Sequence, residues 1–353
     1  MAQELGPGVR LPSFLELCER LNCSKTSLDT ALRLLESRKV IERRHGVGIF
    51  VSVPSSVKSL CLICTPMYLE TVGASPFWRI LLQQAQERAH SKSEDFSVHF
   101  SLPAGTKSAP LLRDGLVEDI AQGKVRGVLA VGLDQGTTEW IVEQGVPVVA
   151  YAGWAPYMVE TRTRDLTDAS VPRLKQRGCN RLALWTPLTP SQYQAHGRTA
   201  GHNLSIIEDF RRALEAQDLG FDEALVHKRD ALLKGSYTEQ THQEQGYQAV
   251  MEVFGEAKKN STVLPDGILI NDDMMAYGAL FAFMKLGIRV GKDVQIATFI
   301  NRGSVALLGA QDDVILVEYD VAEIAQAMFD LLEMLTQGET PASEIVTIHP
   351  HII

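Results

Sequence analysis

The chain has 353 residues, of which 45% are hydrophobic and 22% charged, ordinary values for globular material. No apolar run approaches the ~18 residues that a membrane-spanning helix needs, so a helical membrane protein is excluded, and the length allows about two or three domains. The net charge of −9 is unevenly spread, with eight Lys/Arg against six Asp/Glu in residues 1–52 and 26 against 37 in the rest. A mildly basic N-terminal piece on an acidic body fits a small anion-binding module attached to something else. MAQELGPGVR lacks the long apolar core of a signal peptide, so a cytoplasmic location is expected.

The first predicted elements are two short helices. Phe14, Leu17, Cys18 and Leu21 fall at i, i+3, i+4, i+7, and Leu28, Ala31, Leu32 and Leu35 repeat that spacing. Ser13 and Ser24 are natural N-caps, and Leu21-Asn22-Cys23 is the break between the helices. Two helices on so tight a turn read as a helix-turn-helix. Two β-prone runs follow, VIERR and IFVSV, joined through HGVG. Gly46 and Gly48 permit the positive φ of a tight hairpin. A phosphate-cradling dinucleotide loop would instead follow a strand and open a helix, with a third glycine. The order helix, helix, hairpin is that of a winged helix, whose second helix enters the DNA major groove while the hairpin lies on the backbone or in the minor groove. The polar face of the second helix carries Lys25, Thr26, Asp29, Thr30 and Arg33.

The stretches Arg10-Leu11-Pro12-Ser13, Ser24-Lys25-Thr26-Ser27-Leu28, Ala31-Leu32 and Gly46-Val47-Gly48-Ile49-Phe50-Val51 resemble the GntR-type winged helix over about 42 residues. That resemblance implies double-stranded operator DNA as partner and Arg10, Ser13, Ser24, Lys25, Thr26, Ser27, Thr30, Arg43, Arg44, His45 and Gly46 as its contacts. The chain departs from the family at Leu15 and Asp29, where the family usually carries arginines. An aspartate there repels phosphate or accepts from cytosine N4. An unusual operator, and a large share of the contact for Arg43, Arg44 and His45, are therefore expected.

Beyond the short joint at 54–58, strand-like and helix-like segments alternate. SLCLIC, SVHFSLP, RGVLAVG and PVVAYA read as buried strands, and NRLALWT, GILIND and VQIATFI form a second set. Amphipathic helices separate them, which predicts two α/β lobes with parallel sheets covered on both faces. Cys61 and Cys64, three apart on one strand, should point to opposite faces as buried thiols, with no partner motif for a metal or cofactor.

Ser75-Pro76-Phe77-Trp78, Asp165, Leu174 to Gly178, Asp273 to Gly278, Leu286-Gly287 and Lys292-Asp293 resemble the LacI/GalR-type effector domain over roughly residues 58–353. The joined pair is similar to repressors of the arabinose-repressor type. The expected fold is thus an N-terminal winged helix-turn-helix (1–53) followed by a bilobal periplasmic-binding-protein-like domain (59–353) of two doubly wound parallel-sheet lobes. Lobe 1 is expected over about 59–155 and 290–318, and lobe 2 over about 156–289 and 319–353.

Ligands in such folds bind outside the carboxyl ends of the strands. That nominates Tyr68, Phe77, Trp78, Asp134 and Trp154 from the first lobe, and Asp273 and Asn301 from the second. Arg198, in the insertion TPSQYQAHGRTAGHN, would replace a pocket arginine of the family that this chain lacks. Aromatics stack on a sugar face, and carboxylate and amide serve its hydroxyls. Asp273 is equally an N-cap candidate, Trp78 a core candidate and Asn301 a turn candidate. Ser191, His196, His202 and Ser205 could suggest catalysis, but no nucleophile elbow, zinc motif or P-loop accompanies them. The expectation is a homodimeric, non-enzymatic, sugar-controlled transcriptional regulator, a repressor more readily than an activator. The alternative is a sugar-binding or sugar-processing protein whose degenerate winged helix binds DNA weakly.

Overall fold

The computed structural model describes residues 8–37, 40–44, 47–51, 58–66, 75–102, 110–187, 199–227, 241–255 and 264–352, with backbone only at 37 and 199–205. The chain divides into two compact units, Met1–Lys58 and Ser59–Ile353.

In the first unit, α1 (Phe14–Leu21) starts at a reciprocal cap, in which Ser13 accepts from the Glu16 N–H and Glu16 accepts from the Ser13 N–H. Such a capping box satisfies two otherwise orphaned amides and stabilises by about 1 kcal/mol. The helix ends at Asn22, whose left-handed φ of 46° turns the chain, and Ser24 caps α2 (Lys25–Ser37) through the Ser27 N–H. Strands β1 (Ile41–Arg44) and β2 (Gly48–Val51) pair antiparallel, Ile41 opposite Val51 and Arg44 opposite Gly48. The segment before α1 lies along the other edge of β2, bonding Leu11 to Ile49 and Gly8 to Val51. Gly48 holds a φ of 143°, and a Cβ there would meet the Arg10 guanidinium at 2.8 Å. The backbone conformation is what needs glycine, since the exposed Arg10 side chain could swing aside. Leu11, Leu17, Leu28, Leu32, Ile41, Ile49 and Val51 form the core. Leu21 and Ala31, which the helical spacing placed on the core faces, are exposed, because the small unit has too few elements to cover a whole apolar stripe.

The second unit holds two six-stranded sheets. One contains β3 (Ser59–Cys64), β4 (Phe96–Phe100), β5 (Val125–Val131), β6 (Val148–Tyr151), β7 (Tyr157–Thr161) and β13 (Ile345–Ile348), in the order β4-β3-β5-β6-β7-β13, all parallel. The other contains β8 (Leu182–Trp185), β9 (Val226–His227), β10 (Gly267–Ile270), β11 (Gln295–Asn301), β12 (Val314–Tyr319) and β14 (His351–Ile352), in the order β9-β8-β10-β11-β12-β14. Only β14 runs antiparallel among these pairs. Each sheet carries an apolar cluster on both faces, as continuous hydrophobic strands require. Cys61 and Cys64 join opposite clusters, and burial pushes the Cys64 thiol up to about 12.

The helices of the first lobe are α3 (Pro76–Ser91), α4 (Asp114–Ala121) and α5 (Gln135–Glu143), joined by α10 (Val321–Thr336). Those of the second are α6 (Thr163–Gln176), α7 (Thr199–Glu215), α8 (His242–Val250) and α9 (Asp273–Leu286). This corrects the expected lobe boundaries. Residues 290–318 belong to the second sheet through β11 and β12, while α10 packs on α3 and β5 of the first lobe and β13 extends the first sheet. Strand β7, at 157–161, also lies in the first sheet. The chain therefore crosses between lobes after β7, after β12 and between β13 and β14.

Candidate functional site

The exposed face of α2 presents Lys25, Thr26, Ser27, Thr30 and Arg33. Ser13, Ser24 and Ser27 are engaged in helix caps, and the Thr30 hydroxyl donates to the Thr26 carbonyl. Arg10 lies over Gly48, and His45 and Gly46 fall outside the described residues.

The two hairpin arginines differ. Arg43, 27% exposed, reaches back to α2, where Nη1 meets Asp29 Oδ1 at 2.8 Å, Nη2 donates to the Asp29 carbonyl and Nε pairs with Glu36 at 3.2 Å. Arg44 is half exposed, chelated by its neighbour Glu42 and laid over the Phe50 ring. Asp29 also pairs with Arg33 at 2.9 Å. Hydrogen bonding from Arg43 holds the Asp29 carboxyl below its ordinary range. Asp29 is thus not a bare anion facing solvent. It is the junction of a Glu36–Arg43–Asp29–Arg33 chain whose formal charges cancel. Leu15, at the family's arginine position, is 59% exposed.

In the second unit, each sheet reverses its winding beside its first strand, between β3 and β5 and between β8 and β10. The carboxyl ends of these strands form the crevice that such topologies offer to ligands. Thr65 follows β3 and ties the two strand ends together, donating its hydroxyl to the Gly132 carbonyl at 2.6 Å.

From the first lobe come Phe77, buried, and Trp78, half-buried, which meet edge to face at 4.7 Å. Both contact Tyr151 at the end of β6, whose burial pushes its hydroxyl up to about 12. Asp134 caps α5, accepting from the Thr137 N–H at 2.9 Å. Trp154 is half-buried, just after a turn in which Ala152 has φ 53° and Gly153 has φ 157°. Tyr68, Arg198, Ser191 and His196 lie outside the described residues, as do the side chains of His202 and Ser205.

The second lobe contributes a carboxylate pair at the start of α9. Asp272 caps the helix through the Met275 N–H at 2.7 Å, and its other oxygen lies 2.9 Å from His242 Nδ1 on α8. Asp273, nominated above as a cap, is instead the first residue of the helix. The reason is local: with Asp at both positions, the residue left in extended backbone takes the cap. Asp273 is fully buried. Its Oδ1 accepts from Ser75 Oγ at 3.2 Å, a bond between the lobes, while Oδ2 has no partner among the described residues. Burial, then the neighbouring Asp272, push the Asp273 carboxyl up to about 7. Burial disfavours charge on His242, but the charge and hydrogen bond of Asp272 outweigh it and raise its pKa. Asn301, 3% exposed at the end of β11, leaves its Nδ2 unpartnered among the described residues, as do Trp185 Nε1 and Thr298 Oγ1. A buried polar group without a partner is costly and is a place for a ligand or water to bond.

The structure thus brings Ser75 to Asp273 and gathers Phe77, Trp78 and Tyr151. Sequence reasoning missed His242, Asp272 and Tyr151. The Asp-Asp pair before an apolar run was a visible cap signal, whereas His242 joins only because α8 packs on α9. A shallow recess lined by Leu60, Arg88, Glu94 and Arg126 lies at the amino end of β3, away from these residues, and its own ion pairs occupy it.

Comparison with known proteins follows the same division. The model of a periplasmic binding protein-like domain matches residues 171–353, over half the chain, and that of bacterial regulatory proteins of the gntR family matches residues 1–51. No curated protein matches in sequence. Among solved structures, the transcriptional regulator CelR–cellobiose complex shares 17% identity, with 97% of this chain and 98% of that one covered, at a TM-score of 0.61. A LacI-family regulatory protein from Chloroflexus aggregans shares 19%, covering 84% of this chain and 97% of its own, at 0.63. A periplasmic binding protein/LacI transcriptional regulator from Alkaliphilus metalliredigens, complexed with D-xylulofuranose, shares 16%, with coverage of 84% and 97%, at 0.58. At these identities the likeness is one of fold. The chain belongs to the periplasmic binding protein-like family and carries a gntR-family bacterial regulatory domain at its N-terminus, the composition of a ligand-responsive transcriptional regulator.

Proposed function

We propose that the chain is a homodimeric repressor that binds operator DNA through residues 8–51 and releases it when a carbohydrate enters the cleft of residues 59–353. The observation that carries the ligand half is the Ser75–Asp273 bond between lobes, with the unpartnered Asp273 Oδ2 and Asn301 Nδ2 at the carboxyl ends of the second sheet. A polyol offers donors to the carboxylate and acceptors to the amide, and an apolar sugar face suits Trp78 and Tyr151. The cellobiose and D-xylulofuranose held by two neighbours of this fold support the same ligand class.

Closure would turn about the three crossings. They are knit together: Tyr319 donates to the Arg162 carbonyl, Asp165 lies 2.9 Å from His349, and Arg302 pairs with Glu318 and Asp320. A sugar that favours one lobe angle would shift that equilibrium, and with it operator affinity. The location is then the cytoplasm, where the operator lies.

For the dimer, α9 exposes Tyr277, Phe281 and Met284 at i, i+4, i+7, and the loop after β11 adds Val305 and Leu308, 67% and 77% exposed. On the first lobe, the edge strand β4 exposes Val98 and Phe100. A second copy covering such apolar stripes by twofold symmetry would also space two helix-turn-helix units along a pseudo-palindrome. Phe281→Asp with Met284→Asp is expected to convert a dimer to a monomer in light scattering and to lower operator affinity at least tenfold. A chain that is monomeric before the change removes the dimer from the proposal.

The central experiment combines a gel shift on the gene's own upstream DNA with a thermal-shift screen of monosaccharides, disaccharides and sugar phosphates. The expected result is a sequence-specific shift that one of these sugars relieves. A sugar-dependent thermal shift without DNA binding would instead support a sugar-binding protein with a vestigial N-terminal unit, a reading that exposed Leu15 favours.

A further inference from the structure

We propose that Arg33 is the base-reading residue of α2, oriented by Asp29 at its Nε, and that the operator half-site places a guanine opposite it. The inference rests on the reading of residues 8–51 as the DNA-binding unit and specifies what that unit recognises.

The two hairpin arginines are committed within the unit. Arg43 is turned inward onto α2, with Nη1 on the Asp29 carboxylate, Nη2 donating to the Asp29 carbonyl and Nε 3.2 Å from Glu36. Arg44 spends Nε and Nη2 on Glu42 and lies flat on Phe50. Neither presents an open guanidinium fork. Arg33 does. Its side chain is 76% exposed, and its Nε lies 2.9 Å from Asp29 Oδ2 in an i,i+4 ion pair. Nη1 and Nη2 have no partner among the described residues. With Nε turned toward Asp29, the two terminal nitrogens form a parallel pair along the side-chain axis. Two parallel N–H donors match the O6 and N7 acceptors of guanine in the major groove.

Position and rigidity support the assignment. Thr26, Thr30 and Arg33 are exposed at helical spacing on one face of α2, opposite buried Leu28 and Leu32. Asp29 lies one turn before Arg33 on that face and is itself immobilised from the other side by Arg43. A chain from β1 through Asp29 to Arg33 thus removes rotamer freedom that a lone surface arginine would lose on binding. It also gives Asp29 and Arg43 roles as positioning residues. The carboxylate lowers nonspecific attraction to phosphate at that point, leaving the fork's geometry to select the base.

The test uses the full chain. Wild type is first selected against a random duplex library. The enriched duplex and its single base-pair variants are then titrated with wild type, Arg33→Lys, Arg33→Ala and Asp29→Asn at several salt concentrations. Wild type should prefer G·C at one position of each half-site by about ten- to a hundredfold. Arg33→Lys keeps the charge but loses the fork, so it should erase that one preference while retaining the salt slope. Asp29→Asn should weaken the same preference and no other. Thermal melting is expected to be unchanged in Arg33→Lys, because the side chain is exposed. Retention of every base preference in Arg33→Lys and Arg33→Ala would overturn the inference while leaving DNA binding intact, as would a uniform loss across all sequences, which marks a phosphate contact. If wild type enriches no sequence, the DNA-binding reading fails and this inference with it.

Discussion

Replacing Gly278 with alanine is expected to lower the melting temperature of the 59–353 unit by about 10 °C, on the order of 3–5 kcal/mol. Gly278 lies on α9 where α8 crosses it, and a Cβ at that point would stand 1.9 Å from the carbonyl oxygen of Gln243. On the other helix, a Cβ at Gly246 would stand 2.0 Å from the carbonyl oxygen of Met275. Both obstacles are backbone, so no rotamer change relieves them, and the helices must separate. Separation would open the cluster of Ala249, Val250, Met275, Ala279 and Phe283 that lies beneath. It would also part His242 from Asp272 and unseat the start of α9 that presents Asp273. Gly246→Ala should match it. Differential scanning calorimetry checks the prediction, and a melting temperature within about 2 °C of wild type would refute the close crossing.

The second large effect is a pH dependence centred on Asp273. Its carboxyl titrates near 7 when folded and near 3.8 when unfolded, because the folded site is buried and Asp272 adjoins it. The folded state therefore binds more protons than the unfolded state between these values, and stability falls as pH rises through that window. The contribution is fully present below about pH 4 and lost above about pH 7. Complete loss is on the order of a few kcal/mol for so buried a group. The groups facing Asp273 among the described residues are Asp272, His242 and Ser75. His242 has a raised pKa, so it adds a decline in the same direction above its unfolded value near 6.5. Asp273→Asn replaces the carboxyl with a neutral group of the same shape. It should flatten the decline between pH 4 and 7 and leave the smaller His242 contribution above it. Urea midpoints of the two chains at pH 4.5, 6 and 8 provide the measurement. Parallel curves would show that Asp273 does not carry the effect. The same variant should lose the thermal shift produced by whichever sugar the screen identifies.

Much of the architecture was legible because it is local. The caps at Ser13 and Ser24, the reversal at Asn22 and the pairing of β1 with β2 follow from residues within a few positions of one another. The opposite orientation of Cys61 and Cys64 follows from the two-residue period of a strand. Alternation of apolar strands with amphipathic helices sufficed to name parallel sheets.

The candidate site was legible only in part, for a related reason. Asp273 and Asn301 could be nominated because they follow strands, and ligands gather at strand ends. The raised pKa of Asp273 could not, since it depends on burial in the folded chain, where Ser75, nearly two hundred residues away, is its hydrogen-bond partner. Arg43 read as a hairpin cation because its neighbours in sequence are Glu42 and Arg44. Folding instead turns it back onto Asp29, fourteen positions earlier, and leaves Arg33 the more open of the two guanidiniums that flank Asp29.

What the sequence determined by itself was the kind and order of the elements, through hydrophobic period, caps and turn residues, each set by interactions within a turn or a strand. The tertiary structure decided which sheet received β11, β12 and β13, which of two adjacent aspartates capped α9, and where backbones approach so closely that only glycine fits. These outcomes depend on pairings between distant segments, and strands of like composition satisfy either sheet equally well until the remaining partners are in place.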